Sequence, residues 1–452
     1  MSIFLFRQNG GNDELKDYYQ VWSGKLMNQI LLYDFLTFMN DKNWNKADLA
    51  KYSGIHISDI SRVFNNKKPL SLHYLDAITE AFGLAEGYFY SSYTQLCFNQ
   101  NRYLDKRRSV AFIYKCAING FKKELNFIIS EMLEEKSKTI RTKNLQNLFE
   151  IAEKLFAEGK EKEALPLYEI IIHHMPDQTA EEVAISYFRK YYLNRLTEEG
   201  PATLVHVLEY VSYMPDDFQE LTILYITATY YMFKQWDKVL HYAKRLEKMA
   251  KNEKHFGYAL VYQGFALNRL SNSIDEVLQI IKKYNKINNF FAEAAVGNRY
   301  VTFLDFGELH YVDEYYDWIK NRDDLYVGIP RIIESYVKLG RLEDALALIS
   351  QHEKVINEMA YSTNLYKQQL YLDFCYAQSL LKCEKKQYIE GLNDLIKVAR
   401  KVKNVGIIEK FKQCLLSIWH YRDHLTEQLN EDYIQMLSED RNQANNFIAV
   451  SP

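Results

Sequence analysis

"ADLAKYSGIHISDISRVFNNKKPL", residues 47–70, decides how the start of the chain folds. Leu49 and the small Ala50 mark the inward side of a short helix, and Asn45 before it can accept hydrogen bonds from the free amides of the first turn. Gly54 ends that helix, because glycine takes the positive φ of a helix stop without a steric penalty. A second helix is expected from about Ile57 to Asn65, with Ile55, Ile60 and Val63 beneath it and Ser58, Ser61 and Arg62 on the opposite face. "NNKKP" follows as a basic turn whose Asn65, Lys67 and Lys68 can meet phosphate oxygens. Upstream, Leu32, Phe35, Leu36 and Met39 fall at i, i+3, i+4 and i+7, one apolar helix face. Downstream, Ser71 caps a further helix with Leu75, Ile78, Ala81 and Phe82 inward and Gly83 after it.

The wider composition supports helices almost throughout. Among 452 residues there are only 7 prolines and 17 glycines, so strands and tight turns are few. Five cysteines, an odd number without Cys-x-x-Cys spacing, indicate neither a disulfide framework nor a zinc knuckle. The apolar start "MSIFLF" is too short for a signal core, and no stretch approaches the roughly 20 apolar residues of a membrane span. A cytoplasmic protein without a membrane partner is expected. The net charge of −3 argues against coating nucleic acid, since such binders carry a broad basic excess; any DNA contact has to be local.

The run L-A-x-x-S-G, five residues, I-S-R, then N and a later A-x-G-L resembles the Cro/C1-type helix-turn-helix of phage repressors and Xre regulators, over roughly residues 28–90. The resemblance implies that Ile57, Ser58, Ser61 and Arg62 face base edges in the major groove of double-stranded operator DNA. Arg62 can then pair with guanine O6 and N7. Two departures stand out. His56 occupies the place of the usual Ser, Thr or Asp cap, and Ile57 replaces a polar reader, which leans specificity towards thymine methyl contact.

From about residue 105 a looser theme recurs: a helix, a Gly or polar turn, and a second helix with an early Ala. "IAEKLFAEGKEKEALPLYEIII" (151–172) carries Ala152, Gly159 and Ala164, and "YVKLGRLEDALALI" (336–349) carries Gly340 and Ala345, with Gly264 in a matching place of the 262–281 segment. Hairpins are expected around 107–134, 145–173, 180–213, 218–250, 255–284, 290–320, 327–357, 364–400 and 404–438. Stacked, they form a tetratricopeptide-like superhelix, because each pair buries its apolar face only against its neighbours. The fold class is therefore all-α, an N-terminal helix-turn-helix domain followed by a degenerate α-solenoid. The expected divisions are a DNA-binding domain at 25–92, connecting helices and a first hairpin at 93–144, the superhelix at 145–440 and a tail at 441–452. Phased on the small residues, the first helix of each pair turns Asn194, Tyr225, Tyr258, Asn268, Asn298, Glu334 and Gln378 into the groove. Asparagines on successive helices can donate to and accept from a peptide main chain without selecting its side chains, and Glu334 can pair with a cation.

An Xre-type domain ahead of such repeats is similar to the peptide-sensing regulators of the RRNPP group. "RRSVAFIYKCAINGFKKELNFIISEMLEEK" followed by "LFEIAEKLFAEGKEKEALPLY" resembles, in order and spacing, the first solenoid hairpins of the arbitrium receptor (AimR) family. That resemblance implies a homodimer whose operator binding is altered by a short secreted peptide, in quorum sensing or in phage lysis-lysogeny control. Other readings remain open. A solenoid scaffold can dock a protein partner without sequence-specific DNA binding, and some peptide-sensing relatives resemble phosphatases, though with a different N-terminal bundle.

No catalytic, cofactor or metal site is expected. The chain has no G-x-x-x-x-G-K-[ST], G-x-G-x-x-G or G-x-S-x-G, and His420 and His424, four apart, lack a third ligand. The charged "EEKSKTIRTKN" (134–144) reads as a solvated connection. The apolar Phe447, Ile448 and Val450 of the tail have no repeat left to cover them, which makes this end a candidate dimer contact.

Overall fold

The structure, a computed structural model, describes residues 29–99, 103–197 and 199–438. The tail at 441–452 and the start of the expected DNA-binding domain at 25–28 lie outside them. Among the described residues the regular structure is helical, apart from one isolated bridge between Phe98 and Leu104. The chain divides into two compact units, residues 1–193 with 205–214, and residues 194–204 with 215–452.

The first unit opens with α1 (29–41), α2 (Lys46–Ser53), α3 (Ile57–Phe64), α4 (Leu72–Ala81) and the short α5 (Tyr90–Tyr93). Local chemistry sets each boundary. Asn45 accepts from the amides of Ala47 and Asp48 while Asp48 returns a bond to the Asn45 amide, a reciprocal capping box. Gly54, at φ 70°, stops α2, and Ser71 caps α4 through the Tyr74 amide. Leu31, Leu32, Phe35 and Met39 of α1 are buried with Leu49, Ile60, Val63, Leu75 and Phe82. Leu36 is the exception to the expected inward set. It is exposed, because Leu31 fills the arc on the other side of Phe35 and leaves Leu36 at the edge.

The same core continues into paired helices α6 (Lys106–Asn119) and α7 (Lys122–Leu133), then α8 (Lys138–Ala157) and α9 (Glu161–His174). Two buried tyrosines join the blocks: Tyr93 donates to the Leu70 carbonyl at 3.1 Å and Tyr90 to Asp76 at 2.8 Å, where Lys115 of α6 also pairs at 2.7 Å. The charged stretch at 134–144 is not merely a connection. Ser137 accepts from the Ile140 amide and starts α8 at Lys138, so three of the stretch's six charges, Lys138, Arg141 and Lys143, ride on the first turns of that helix. The chain then passes through α10 (Glu181–Asn194) and α11 (Gly200–Tyr210).

The second unit carries α12 (Asp216–Met232), α13 (Trp236–Met249), α14 (Glu253–Leu270), α15 (Ile274–Tyr284), α16 (Asn289–Asp305), α17 (Val312–Ile319), α18 (Leu325–Lys338) and α19 (Leu342–Gln351). A short extra helix, α20 (Glu353–Ala360), interrupts the pairing before α21 (Leu365–Glu384), α22 (Tyr388–Asn404), α23 (Ile408–His420) and α24 (Glu427–Ser438). From α12 to α23 each helix packs on its successor and α24 returns onto α22, while the first helices of adjacent pairs also touch, α12 on α14, α14 on α16 and α18 on α21. Ala152, Ala164 and Ala345 of the repeat pattern are fully buried, but the tightest glycine crossings fall elsewhere than at Gly264. A side chain at Gly257 would strike the Phe291 ring and one at Gly297 the Trp318 ring, whereas Gly264 has ordinary space around it.

One turn geometry recurs between helices, with a single left-handed residue two positions after the first helix ends. That residue is Gly159 after α8, Gly340 after α18 and Gly406 after α22, at φ 73°, 71° and 77°. After α12 it is Lys234, at φ 53°, and after α21 it is Lys386, at φ 65°. A side chain in this region costs on the order of 1 kcal/mol relative to glycine.

Candidate functional site

On the outer face of α3, Ile57, Ser58 and Arg62 are exposed and Ser61 is half-buried. His56 does the work of a cap in spite of its unusual identity: its ring nitrogen Nδ1 accepts from the Ser58 amide at 3.3 Å and lies 2.7 Å from the Ser58 hydroxyl. Asn65 and Lys67 are exposed in the turn that follows. Lys68 is differently placed. Its ammonium lies 2.9 Å from Asp59 and donates to the Tyr74 hydroxyl at 2.8 Å, and Tyr74 in turn donates to Asp59 at 2.8 Å. These bonds raise the Lys68 pKa, through Tyr74 and then Asp59, and lower that of Asp59, through Lys68 and then Tyr74. The triad ties α3 to α4, so Lys68 helps hold the angle of the outer face rather than projecting freely.

The second unit gathers its charged groups in a different manner. In α16, Asp305 accepts from Arg331 Nε of α18 at 2.9 Å and from Asn268 Nδ2 of α14 at 2.6 Å, with an Arg269 guanidinium nitrogen 3.3 Å away. In α21, Asp373 pairs with Lys410 of α23 at 2.9 Å and, more distantly, with Lys234 at 3.7 Å. The turn that holds Lys234 makes two more long-range bonds, from Gln369 Nε2 to the Met232 carbonyl at 3.1 Å and from Trp236 Nε1 to Glu409 at 2.7 Å. Contacts spanning 137 and 173 residues form only if the row of first helices curves around a common centre, so these groups sit on its inner side.

Burial shapes the electrostatics of this centre. It pushes the Asp373 carboxyl up, but Lys410 and then Lys234 outweigh it and hold the group at about 2. Burial likewise opposes ionisation of Asp305, and Arg331 and Arg269 overcome it, leaving its pKa lowered. Lys234 goes the other way: burial depresses its ammonium below the usual lysine range and Asp373 only partly restores it. Tyr231 of α12 packs its ring against Trp236 of α13 and against Tyr262 and Phe265 of α14.

Residues 37–89 match the helix-turn-helix family. No curated protein matches the chain. Five solved chains do, among them one described as the structure of SeMet-phAimR, 14% identical, with 88% of this chain and 99% of that chain covered and a TM-score of 0.41. Within the second unit, the residues named from the groove register have varied surroundings. Asn268 is part of the charged centre, and Glu334, on α18, pairs with Lys338 at 2.8 Å. Asn298 donates to the Tyr284 hydroxyl at 2.9 Å, Tyr258 packs edge-on to Phe291, and the Arg195 guanidinium lies over the Tyr225 ring. Asn194 and Gln378 are half-buried. The spacing of small residues does not point to Arg269, Asp305, Arg331, Asp373, Lys410 or Lys234. A signal was present for several of them: Asp305 in "VTFLDFG", Arg331 in "GIPRII" and Asp373 in "YLDFCYA" are single charges inside apolar runs, which seldom bury without a partner.

Proposed function

We infer that this protein is a ligand-responsive transcription regulator, in which the helix-turn-helix reads a double-stranded operator and the inner face of the second unit holds a short signalling peptide. The observation that carries the DNA part is the outer face of α3 within the matched helix-turn-helix, where Ile57, Ser58, Ser61 and Arg62 stand beside the Asn65–Lys67 turn, with Lys68 tethered behind it. Short hydroxyls and one arginine suit base edges, and the exposed turn suits phosphate. Selection of binding sites from random duplexes, followed by footprinting, tests this. Recovery of no common sequence would favour the scaffold reading, in which the solenoid docks a protein partner.

The peptide part rests on Asn268 with the charges that meet at Asp305, and on the Tyr231 ring cluster of α12 to α14. An extended backbone of roughly five to ten residues suits such a surface, its amides meeting side-chain donors and acceptors. An effector moves operator affinity only by the difference between its affinities for two conformations, typically about 1 to 3 kcal/mol. Candidate peptides from a short secreted reading frame beside the gene are to be titrated by calorimetry and then in an operator gel shift. If none binds, the groove reading falls.

A homodimer fits the operator reading, since one helix-turn-helix contacts few bases. Leu416 and Trp419 of α23 and Ile434 and Leu437 of α24 expose apolar surface at the C-terminal end, beside a cleft of about 420 Å³ lined by Ile418, Trp419, Leu425 and Tyr433. Deleting residues 440–452, or changing Trp419→Glu, is expected to raise the monomer fraction in sedimentation.

A further inference from the structure

Lys234 bears two costs at once. It occupies the left-handed turn position that the equivalent turns fill with Gly159, Gly340 and Gly406, and its side chain is turned inward, only 20% exposed. Lys386 shares the backbone strain but lies in solvent, so the turn alone does not call for a buried lysine. Nor does ion pairing account for it. Its ion-pair partner among the described residues is Asp373, 3.7 Å away, and Lys410 already holds that carboxylate at 2.9 Å. The neighbouring Asp305 repeats the pattern, one carboxylate shared by Arg331 and Arg269. Four cations thus converge on two enclosed carboxylates. Of the flanking acids, Glu334 is engaged by Lys338, while Glu409 accepts from the neutral Trp236 indole and keeps its charge, so the four cations still outnumber Asp305, Asp373 and Glu409 by one. The centre also holds an acceptor with no donor, the buried Oδ1 of Asn268. Groups strained and under-neutralised in this way are kept where a ligand completes them.

We propose that Lys234, with Lys410 and the two arginines beside it, is a receptor for a carboxylate, and that the carboxylate is the free C-terminus of the bound peptide. This rests on the peptide reading given above. A chain end supplies both missing partners: an anion for the Lys234 ammonium, and amide N–H groups for the Asn268 acceptor. Arginine in place of Lys234 keeps the charge, whereas glycine removes it and restores the residue that the turn prefers. Lys234→Gly therefore separates binding from structure, because the Met232 and Trp236 hydrogen bonds need nothing from the Lys234 side chain.

The full chain is to be incubated with two hexapeptide libraries of identical composition, one ending in a free carboxylate and the other in a carboxamide, and retained peptides identified by mass spectrometry. The wild type is expected to retain free acids at least about tenfold over amides, Lys234→Arg to keep that preference and Lys234→Gly to lose it, while the melting temperature of Lys234→Gly equals or exceeds that of the wild type. Amides retained only when they contain Asp or Glu would support the receptor and move the carboxylate to a side chain. Equal retention of both libraries, or an undiminished preference in Lys234→Gly, overturns the carboxylate receptor while leaving the peptide reading intact. Retention of neither overturns both.

Discussion

The helix-turn-helix and the charged centre of the second unit solve opposite problems. In the first, an apolar core and local caps hold a polar face out in water, where exposed side chains such as Arg62 keep their hydration. In the second, Asp305, Arg331, Asp373 and Lys410 are drawn out of water and compensate one another across four helices. A surface site depends on orientation, which neighbours in sequence can set. An enclosed site depends on neutralisation, which only distant partners supply.

That contrast ranks the expected effects of substitution. Asp305→Ala removes the shared partner of Arg331, Arg269 and Asn268 and is expected to cost about 3 to 5 kcal/mol, measured by urea unfolding followed by circular dichroism. A loss below about 1 kcal/mol would mean that water already reaches these groups, and the contrast between the two regions would vanish. Arg62→Ala should leave unfolding nearly untouched but remove roughly 1 to 3 kcal/mol of operator affinity and relax discrimination at one base pair, as read from gel shifts on operator variants. Unchanged affinity would take α3 out of the reading role. Asn45→Ala breaks the capping box of α2 and is expected to cost about 1 kcal/mol of stability, a local loss in hydrogen exchange confined to the helix-turn-helix. Spread of that loss over the second unit would show that the two regions do not fold by separate means. Lys67→Ala is the mildest: it should weaken specific and random DNA alike and reduce the salt slope by about one, whereas Lys68→Ala should also loosen α3 against α4 through the lost Asp59 and Tyr74 contacts.

Much of the first region was legible because its determinants are neighbours. Asn45, Gly54 and Ser71 act on helix ends within a few residues of themselves, and the i, i+3, i+4 spacing of Leu32, Phe35 and Met39 follows from helix geometry. Even there, sequence spacing set Leu36 inside and left Lys68 free for phosphate, because neither the edge of a buried arc nor a bond to Tyr74 can be read from periodicity. In the second region the helix pairs follow from the repeat of small and apolar residues, and the groove register reaches Asn268 and Glu334 but not Asp305, Arg331, Asp373 or Lys410.

By itself, then, the sequence determined an all-α chain with a helix-turn-helix at its start and paired helices after it, since hydrophobic period, capping residues and left-handed turns act over one or two helical turns. Tertiary structure decided which polar groups meet. Asp373 finds Lys410 and Lys234, and Trp236 finds Glu409, only after the intervening helices have stacked and curved. The strength of such a pairing depends on distance and on the water excluded around it, two quantities that a linear order of residues does not contain.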